Sequence, residues 1–261
     1  MSVQVQRSGA VATLTIAGDE ASNALDAGLA AALADALDAA ADDASVRAVV
    51  LRARGRHFMV GADVRWLATL LELQPAARQQ RLGELIDLAH RSIERIHTMA
   101  QPVLVAVHGA AAGFGLSLVA ACDLALGARS ASFVLAYGAL GASPDGGASF
   151  TLPRLLGTRA ALQLALLNTR IDAARALQLG LLGEVVDDDS LHARADAVGH
   201  ALACGAPMAQ ARTKRLMREA GLAGLRAQLR AERDAFVEAC VGDEFAEGVR
   251  AFVARRAPCF T

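Results

Sequence analysis

Residues Pro102 to Gly127 read PVLVAVHGAAAGFGLSLVAACDLALG, the stretch with the most unusual composition in the chain. Its run Val103–Val107 is apolar and rich in β-branched side chains, which predicts a strand buried on both faces. A turn of very small residues follows and leads into a short helix and a second strand. Small side chains let a ligand approach the backbone, and the free amides at a helix start can bind negative charge. We therefore expect a ligand site at this turn.

Strands and helices alternate on both sides of this stretch up to about Leu135, whereas the pattern beyond Leu191 is helical only. This order predicts an α/β fold with a parallel core sheet. Outside the central stretch the predicted strands are a hairpin of Val3–Gln6 with Ala10–Ala17, then Val46–Ala53, Ser132–Leu135 and Glu184–Val186. The predicted helices are one capped by Asp26 and ending near Asp42, then Val64–Leu71, Pro75–Ala100, Arg159–Leu167, Ala173–Leu179, Leu191–Cys204, Pro207–Ala220, Leu225–Ala239 and Asp243–Ala254.

These patterns divide the chain into an α/β core, residues 1–190, and a helical C-terminal region, residues 191–261. Amphipathic helices of this length are not stable alone. The C-terminal helices must therefore pack on the core or on a neighbouring subunit.

Composition excludes several classes of function. With 26 basic and 27 acidic residues the formal net charge is −1, so there is no broad basic face for nucleic acid. The apolar runs are too short or too glycine-broken to span a bilayer, and no export signal is visible, so we expect a cytoplasmic protein without a membrane partner. The four cysteines are far apart and predict buried thiols. No histidines have metal-ligand spacing, so no metal is expected.

Two motifs that the central stretch partly matches are rejected. Gly113-Phe114-Gly115 follows a strand as in a dinucleotide-binding loop, but the third glycine position is Leu118. Ser117 follows Gly115 as in a serine-hydrolase elbow, but the second glycine is missing. Ser117 is better interpreted as a small polar residue on a helix.

A second tight turn, Phe58–Asp63, has the same position between a strand and a helix as His108–Gly115. Two such turns on neighbouring strands would direct two backbone N–H groups into one cleft. That is the geometry of an oxyanion hole, in which one donor contributes about 3 kcal/mol to a transition state.

At this point the sequence resembles the crotonase (enoyl-CoA hydratase/isomerase) superfamily. The resemblance rests on an ordered set of motifs: NALD, HFMVGAD, QPVLVAVHGAAAGFG, CDLALGARSASF, PDGG and LPRLLG. It extends from about Val11 to the C-terminal EGVRAFVARRAPCF, nearly the full length. It implies a spiral of ββα repeats, a helical C-terminal region that builds trimers or hexamers, and an acyl-CoA thioester as ligand. No separate cofactor is implied, since coenzyme A is part of the substrate.

The resemblance also implies roles for individual residues. The backbone N–H groups of Val60 and Phe114 would form the oxyanion hole, although family members usually have glycine at the second position. The Phe114 ring must therefore point away from the cleft or narrow it. The expected substrate-binding residues are Ser22, Ala24, Gly61, Ala62, Asp63, Val64, Ala110, Gly113, Tyr137 and Leu140.

The sequence departs from the hydratase pattern, because Ser117 and Tyr137 occupy the positions of the two hydratase glutamates. The remaining carboxylate is Asp145, which resembles the aspartate of family isomerases that moves a proton between carbons. We therefore predict double-bond isomerisation with Asp145 as acid and base. Asp145 could instead be an N-cap for the helix that starts near Gly147.

Two alternative functions stay open. In family members that dehalogenate aryl-CoA thioesters, an acid at this position is the nucleophile, and a histidine lies twelve residues before the proline of the central strand, as His90 does here. In this alternative, Asp145 is the nucleophile and His90 is the base that activates water, for dehalogenation or hydrolysis of an aryl-CoA thioester. The pattern alone favours a place for His90 on the outer side of its helix. The third possibility is a catalytically weak CoA-thioester binding protein that has lost both glutamates.

Several other residues have structural interpretations. Asp63 and Asp123 are expected to cap or fix turns. Trp66 and Phe58 are more typical of core than of a ligand cavity. The arginines of RARGR, residues 52–56, could end a solvated strand or bind CoA phosphates.

Overall fold

The computed structural model describes residues 2–18 and 22–259, with the side chains of residues 219–223 excepted. Its strands are β1 (Ser2–Ser8), β2 (Val11–Ala17), β3 (Ala48–Ala53), β4 (Val103–Val107), β5 (Ala110–Ala112), β6 (Leu124–Ala128), β7 (Ser132–Val134), β8 (Ile171–Asp172) and β9 (Glu184–Val186). Its α-helices are α1 (Ala27–Asp42), α2 (Val64–Leu70), α3 (Pro75–Thr98), α4 (Phe114–Ala121), α5 (Ala148–Leu156), α6 (Thr158–Leu166), α7 (Ala173–Gln178), α8 (Leu191–Cys204), α9 (Pro207–Ala239) and α10 (Asp243–Val253). Short 3-10 segments span Tyr137–Leu140 and Asp188–Ser190.

The strands form a six-stranded sheet in the order β1-β2-β3-β4-β6-β9 and a smaller sheet in the order β5-β7-β8. In the large sheet only the β1–β2 hairpin is antiparallel. The central strand β4 is buried along its whole length. The predictions of an α/β fold and of an N-terminal hairpin are therefore confirmed.

Successive segments of the chain repeat a ββα unit, and the repeats stack as a spiral. A strand of the large sheet is followed by a short extended segment and then by a helix, as in β4, β5 and α4. The extended segments lie side by side, since parallel bridges join Leu25 to Ala62 and Met59 to Ala111. This stacking places the turns that precede the helices at one end of the molecule.

Local signals place the helix starts where the sequence predicts them. The Asp26 carboxylate accepts a hydrogen bond from the Leu29 N–H at 2.7 Å and caps α1. Asp63 caps α2 by accepting from the Arg65 N–H at 2.9 Å. The short strands β5 and β8 were not predicted, because segments of two or three residues are too short to show a strand pattern and join a sheet only through distant partners.

The C-terminal helices pack on the core of their own chain: α8 on the large sheet, α9 on α3 and α5, and α10 on α2. The prediction of a break between Ala220 and Leu225 is wrong, since α9 is continuous. A glycine inside a helix costs only about 1 kcal/mol, so Gly224 does not end α9.

The prediction that all four thiols are buried is correct for Cys122 and Cys240 and wrong for Cys204 and Cys259, which are exposed. Cys204 is the last residue of α8, and Cys259 lies near the C-terminus of the chain. Among the described helices, none is long and apolar enough to cross a membrane.

A buried polar network joins α9 to the sheet. His97, at the end of α3, donates its Nδ1–H to the Ile93 carbonyl at 3.0 Å, and its Nε2 accepts from Arg218 at 2.7 Å. Arg218 and Lys214 both bind the Asp123 carboxylate, which also accepts from the Val103 N–H. The expected structural role of Asp123 agrees with these contacts. Burial and the charge of Arg218 lower the pKa of His97 to about 4.

His97 should therefore make the protein sensitive to acid. Its folded pKa of about 4 lies below the usual 6.5, so the unfolded chain binds the extra proton between these values. We expect this group to remove about 3 kcal/mol of unfolding free energy as the pH falls from 6.5 to 4. Urea unfolding at several pH values should show a smaller loss for His97→Gln than for the wild type, with exposed His200→Gln as control. Equal pH dependence in all three proteins would contradict the prediction.

Candidate active site

The turns at one end of the spiral surround a largely apolar cavity of about 220 Å³. Residues of α2, α3, α9 and α10, together with the Tyr137–Leu140 segment, form half of its wall. Its polar lining consists of Tyr137, Asp145, Asn168 and Arg170. Asp145 is thus the single carboxylate among the described residues that line it. We refer to this space as the central cavity.

An open surface groove continues from the central cavity, and the two share residues such as Ala62, Val64 and Arg170. The ten residues predicted to bind substrate all line one or the other. Those that line the cavity alone are Gly61, Gly113, Tyr137 and Leu140; those that line the groove are Ser22, Ala24, Ala62, Asp63, Val64 and Ala110. The structure therefore brings together residues that are distant in sequence.

The positive charge of the groove comes from arginines that the sequence analysis did not select. Arg65, Arg170, Arg255 and Arg256 line it. The predicted cluster at residues 52–56 is not part of its lining: Arg52 points elsewhere, toward Asp196 at 3.5 Å. Trp66 and Phe58 pack with the hydrophobic core, as predicted.

The prediction that Val60 supplies an oxyanion-hole amide is wrong for this structure. Its N–H donates to the Ser22 carbonyl at 3.2 Å. Two residues later, the bridge to Leu25 uses the Gly61 carbonyl and the Asp63 N–H, at 2.6 and 3.1 Å. Because peptide groups alternate in direction along an extended segment, the Ala62 N–H is turned away from Leu25.

The Ala62 and Phe114 amides are the pair that can bind a ligand oxygen here. Neither N–H takes part in a hydrogen bond among the described residues. Phe114 is the first residue of α4, so its N–H has no partner within the helix. A Cβ built on Gly61 would lie 3.7 Å from the Phe114 nitrogen, which places the two turns side by side.

Asp145 lies in the turn before α5 and is 6% exposed. Its Oδ1 accepts from the Gly146 N–H at 2.5 Å and from His90 Nε2 at 2.5 Å. The hydrogen bonds that the described residues make with this carboxylate all go to Oδ1, so Oδ2 is the oxygen available for chemistry. The N-cap interpretation is wrong, since Gly147 occupies the N-cap position of α5.

His90 faces the site, and the outer-side interpretation of this residue is wrong. It is 8% exposed on the inner face of α3, behind Asp145. Burial by itself would lower its pKa, but the hydrogen bond and charge of Asp145 outweigh burial and raise the pKa of His90 above its usual value, with further help from Glu232. His90 and Asp145 therefore form a buried pair joined by a direct hydrogen bond.

Ser117 and Tyr137, at the positions of the hydratase glutamates, both contact the backbone of the turn that carries Asp145. The Ser117 hydroxyl donates to the Asp145 carbonyl at 2.7 Å, and the Tyr137 hydroxyl lies 3.3 Å from the same oxygen. Burial and the charge of Asp145 raise the pKa of Tyr137 well above its usual value. Both side chains are neutral hydrogen-bond partners of the backbone.

Glu232 of α9 is a buried acid near the site that the sequence did not predict. It is 4% exposed and lies behind the same turn. Its carboxylate accepts from the Gly147 N–H at 2.6 Å, from the Ser149 N–H at 2.8 Å and from the Ser149 hydroxyl. Burial raises the pKa of Glu232 to about 7; these hydrogen bonds act against the shift, and the charge of Asp145 adds to it.

His90, Asp145 and Glu232 are also residue types that bind metals, and their ligand atoms lie within 4.8 Å of one another. The lone pairs are largely in use, however, because Asp145 Oδ1 and both Glu232 oxygens accept hydrogen bonds from the protein. The hydrogen bonds explain the cluster without an ion. That the protein uses no metal stays a prediction.

The sequence and the fold are both similar to those of enoyl-CoA hydratases and isomerases. Residues 6–261 match the sequence model of enoyl-CoA hydratase/isomerase. The chain is 33% identical over 252 residues to 1,2-epoxyphenylacetyl-CoA isomerase of Escherichia coli (strain K12), which covers 96% of this chain and 95% of the relative. It is 30% identical over 220 residues to 4-chlorobenzoyl coenzyme A dehalogenase-2 of Arthrobacter sp, covering 83% and 78%. The crystal structure of an enoyl-CoA hydratase from Mycobacterium avium subsp. paratuberculosis K-10 superposes with a TM-score of 0.89 at 34% identity, covering 100% and 99% of the two chains.

Proposed function

The chain belongs to the enoyl-CoA hydratase/isomerase family, and from this membership we propose that it is an isomerase that moves the double bond of an enoyl-CoA thioester. The observation that carries the proposal is Asp145, the single carboxylate lining the central cavity among the described residues. One carboxylate that can both take and return a proton suffices for isomerisation. The relative named as an isomerase is consistent with it.

The reaction begins with the thioester carbonyl bound to the Ala62 and Phe114 amides. Asp145 Oδ2 removes a proton from C2 of a 3-enoyl thioester, and the electron pair moves into a dienolate whose oxygen the two N–H groups stabilise. The carboxyl group then returns the proton to C4, so that the double bond lies between C2 and C3 and Asp145 is a carboxylate again. His90 holds the carboxylate in place through its hydrogen bond to Oδ1, which leaves Oδ2 for the proton transfers.

Hydration is the less suitable reaction for this site. It requires one group to activate water and another to deliver a proton, and the residues at the two hydratase positions are Ser117 and Tyr137. Their hydroxyls are hydrogen-bonded to the Asp145 backbone. The Tyr137 pKa is raised, so this residue does not ionise to act as a base.

A second candidate function is supported by the contact between His90 and Asp145. Asp145 could attack an aryl-CoA ring carbon, expel chloride and form an aryl ester, which water activated by His90 would hydrolyse. The relative named as a dehalogenase is consistent with this chemistry.

One experiment separates these functions. In D₂O, the protein should convert 3-hexenoyl-CoA to 2-hexenoyl-CoA, seen by NMR, without forming 3-hydroxyhexanoyl-CoA. Rapid formation of the 3-hydroxy product would overturn the isomerase proposal. Chloride release from 4-chlorobenzoyl-CoA, with an aryl adduct on Asp145 in the mass spectrum, would establish the second function instead. Binding of all thioesters without turnover would favour a binding protein.

A further inference from the structure

The part of the central cavity wall that α3 forms is apolar. The α3 residues that line it are Leu82, Leu85, Ile86 and Ala89, and Phe236 of α9 lines the cavity as well. Arg170 lines both the cavity and the groove, so it stands at the mouth. The deep part of the cavity therefore offers no cation from the described residues.

Arg78 of α3, the buried arginine nearest in sequence to the lining residue Leu82, cannot supply a positive charge to the deep part of the cavity. Arg78, one turn before Leu82, is 9% exposed. Its guanidinium donates to the carbonyls of Leu70, Leu71, Leu73 and Cys240, which end α2 and α9. A carboxylate buried at the far end of an acyl group would thus lack a partner, which is strongly unfavourable.

The cavity is also small. An apolar cavity of about 150 Å³ binds benzene. A volume of about 220 Å³ leaves room for one ring with a short arm, or for a chain of medium length. Long-chain acyl groups exceed this space.

Phe114 limits the cavity next to the reacting carbons. Its ring lines the space and lies against the Asp145 turn: a Cβ built on Gly146 would be 2.8 Å from Phe114 Cδ2 and 2.8 Å from Ser117 Cβ. The ring therefore narrows the cleft between the Phe114 amide and Asp145. A smaller residue at position 114 would leave this space open.

We infer that the substrate carries a compact, uncharged acyl group, with one ring or a chain of up to about eight carbons, and that Phe114 is the specificity-determining residue on the Asp145 side. This inference rests on the proposed function only in that the cavity holds the acyl group of a thioester. It excludes long-chain and dicarboxylic acyl groups.

Calorimetric binding of saturated CoA thioesters tests the inference independently of turnover, because these ligands cannot isomerise. Heptanoyl-CoA and phenylacetyl-CoA should bind at least about 30-fold more tightly than adipyl-CoA, which matches heptanoyl in length but ends in a carboxylate. Hexadecanoyl-CoA should bind no better than octanoyl-CoA. Adipyl-CoA within threefold of heptanoyl-CoA, or hexadecanoyl-CoA tenfold tighter than octanoyl-CoA, would overturn the inference, whatever the isomerase assay shows.

Two variants test the walls. Phe114→Ala should improve binding of naphthylacetyl-CoA relative to phenylacetyl-CoA by at least about tenfold, since it opens space beside Asp145. Leu85→Phe fills space at the α3 wall and should weaken the binding of phenylacetyl-CoA by a similar factor, with little effect on the shorter butyryl-CoA. Leu162→Ala, at an exposed position on α6, is the control. If a folded variant keeps the wild-type ratio of affinities for the two thioesters compared, the substituted residue does not limit the acyl group.

Discussion

Asp145→Asn is expected to lower the turnover of 3-enoyl-CoA substrates by at least about 10³-fold, because one carboxylate supplies both proton transfers. The variant should keep the fold. Its amide oxygen can still accept from Gly146 and from His90, the two contacts that Oδ1 makes in the native turn. Steady-state rates with 3-hexenoyl-CoA, compared with the affinity for hexanoyl-CoA, measure the two effects separately.

The same variant gives a spectroscopic readout at His90. The hydrogen bond and charge of Asp145 raise the pKa of His90 against the effect of burial. Removing that charge should therefore lower the His90 pKa, which NMR titration can follow. Asp189→Asn makes the same change at an exposed site and should leave both rate and titration unchanged. Retention of more than about a tenth of the wild-type rate by a folded Asp145→Asn protein would remove Asp145 from the mechanism.

Much of the fold follows from local sequence signals. Asp26 and Asp63 each cap the helix that their position predicts, and the buried run Val103–Val107 becomes the central strand. The short strands β5 and β8 could not be predicted in this way. Their residues enter a sheet because Ser132–Val134 pairs with both, and that contact belongs to the assembled spiral.

The site was predictable where a motif defines it and uncertain where direction matters. The PDGG turn identified Asp145 as the candidate carboxylate. The twelve-residue spacing to Pro102 could not show whether His90 faces inward, because a distance in sequence does not say which side of the helix packs against the core. The donor amide was placed two residues too early because the direction of each N–H depends on the backbone at Gly61, which has a φ of +84°.

Glu232 was missed because it is 85 residues from Gly147 in sequence. A signal was nevertheless present on α9. Leu225, Leu229, Glu232 and Phe236 recur at spacings of four, three and four on one buried face. An acid in such an apolar row has to find partners inside the protein, and here it finds the amides at the start of α5.

Those partners make Glu232 a positioning residue for Asp145. The Gly147 N–H, the Ser149 N–H and the Ser149 hydroxyl all donate to its carboxylate. Asp145 lies two residues before Gly147, so this anchor fixes the turn that carries it. The charge of Glu232 also helps to raise the pKa of His90.

Glu232→Gln is therefore expected to lower kcat by about 10²-fold through displacement of Asp145, with little change in the affinity for hexanoyl-CoA. The glutamine NH₂ would meet a donor where the carboxylate accepted one, which should cost about 1–3 kcal/mol of unfolding free energy. The His90 pKa should also fall, an effect that a merely structural contact would not produce. Because the folded pKa of Glu232 is about 7, above the usual 4.5, its contribution to stability declines as the pH rises between these values, and this decline should be missing in the variant. Glu238→Gln, an exposed change on the same helix, is the control. An unchanged kcat and His90 titration in a destabilised Glu232→Gln protein would show that Glu232 supports the fold alone.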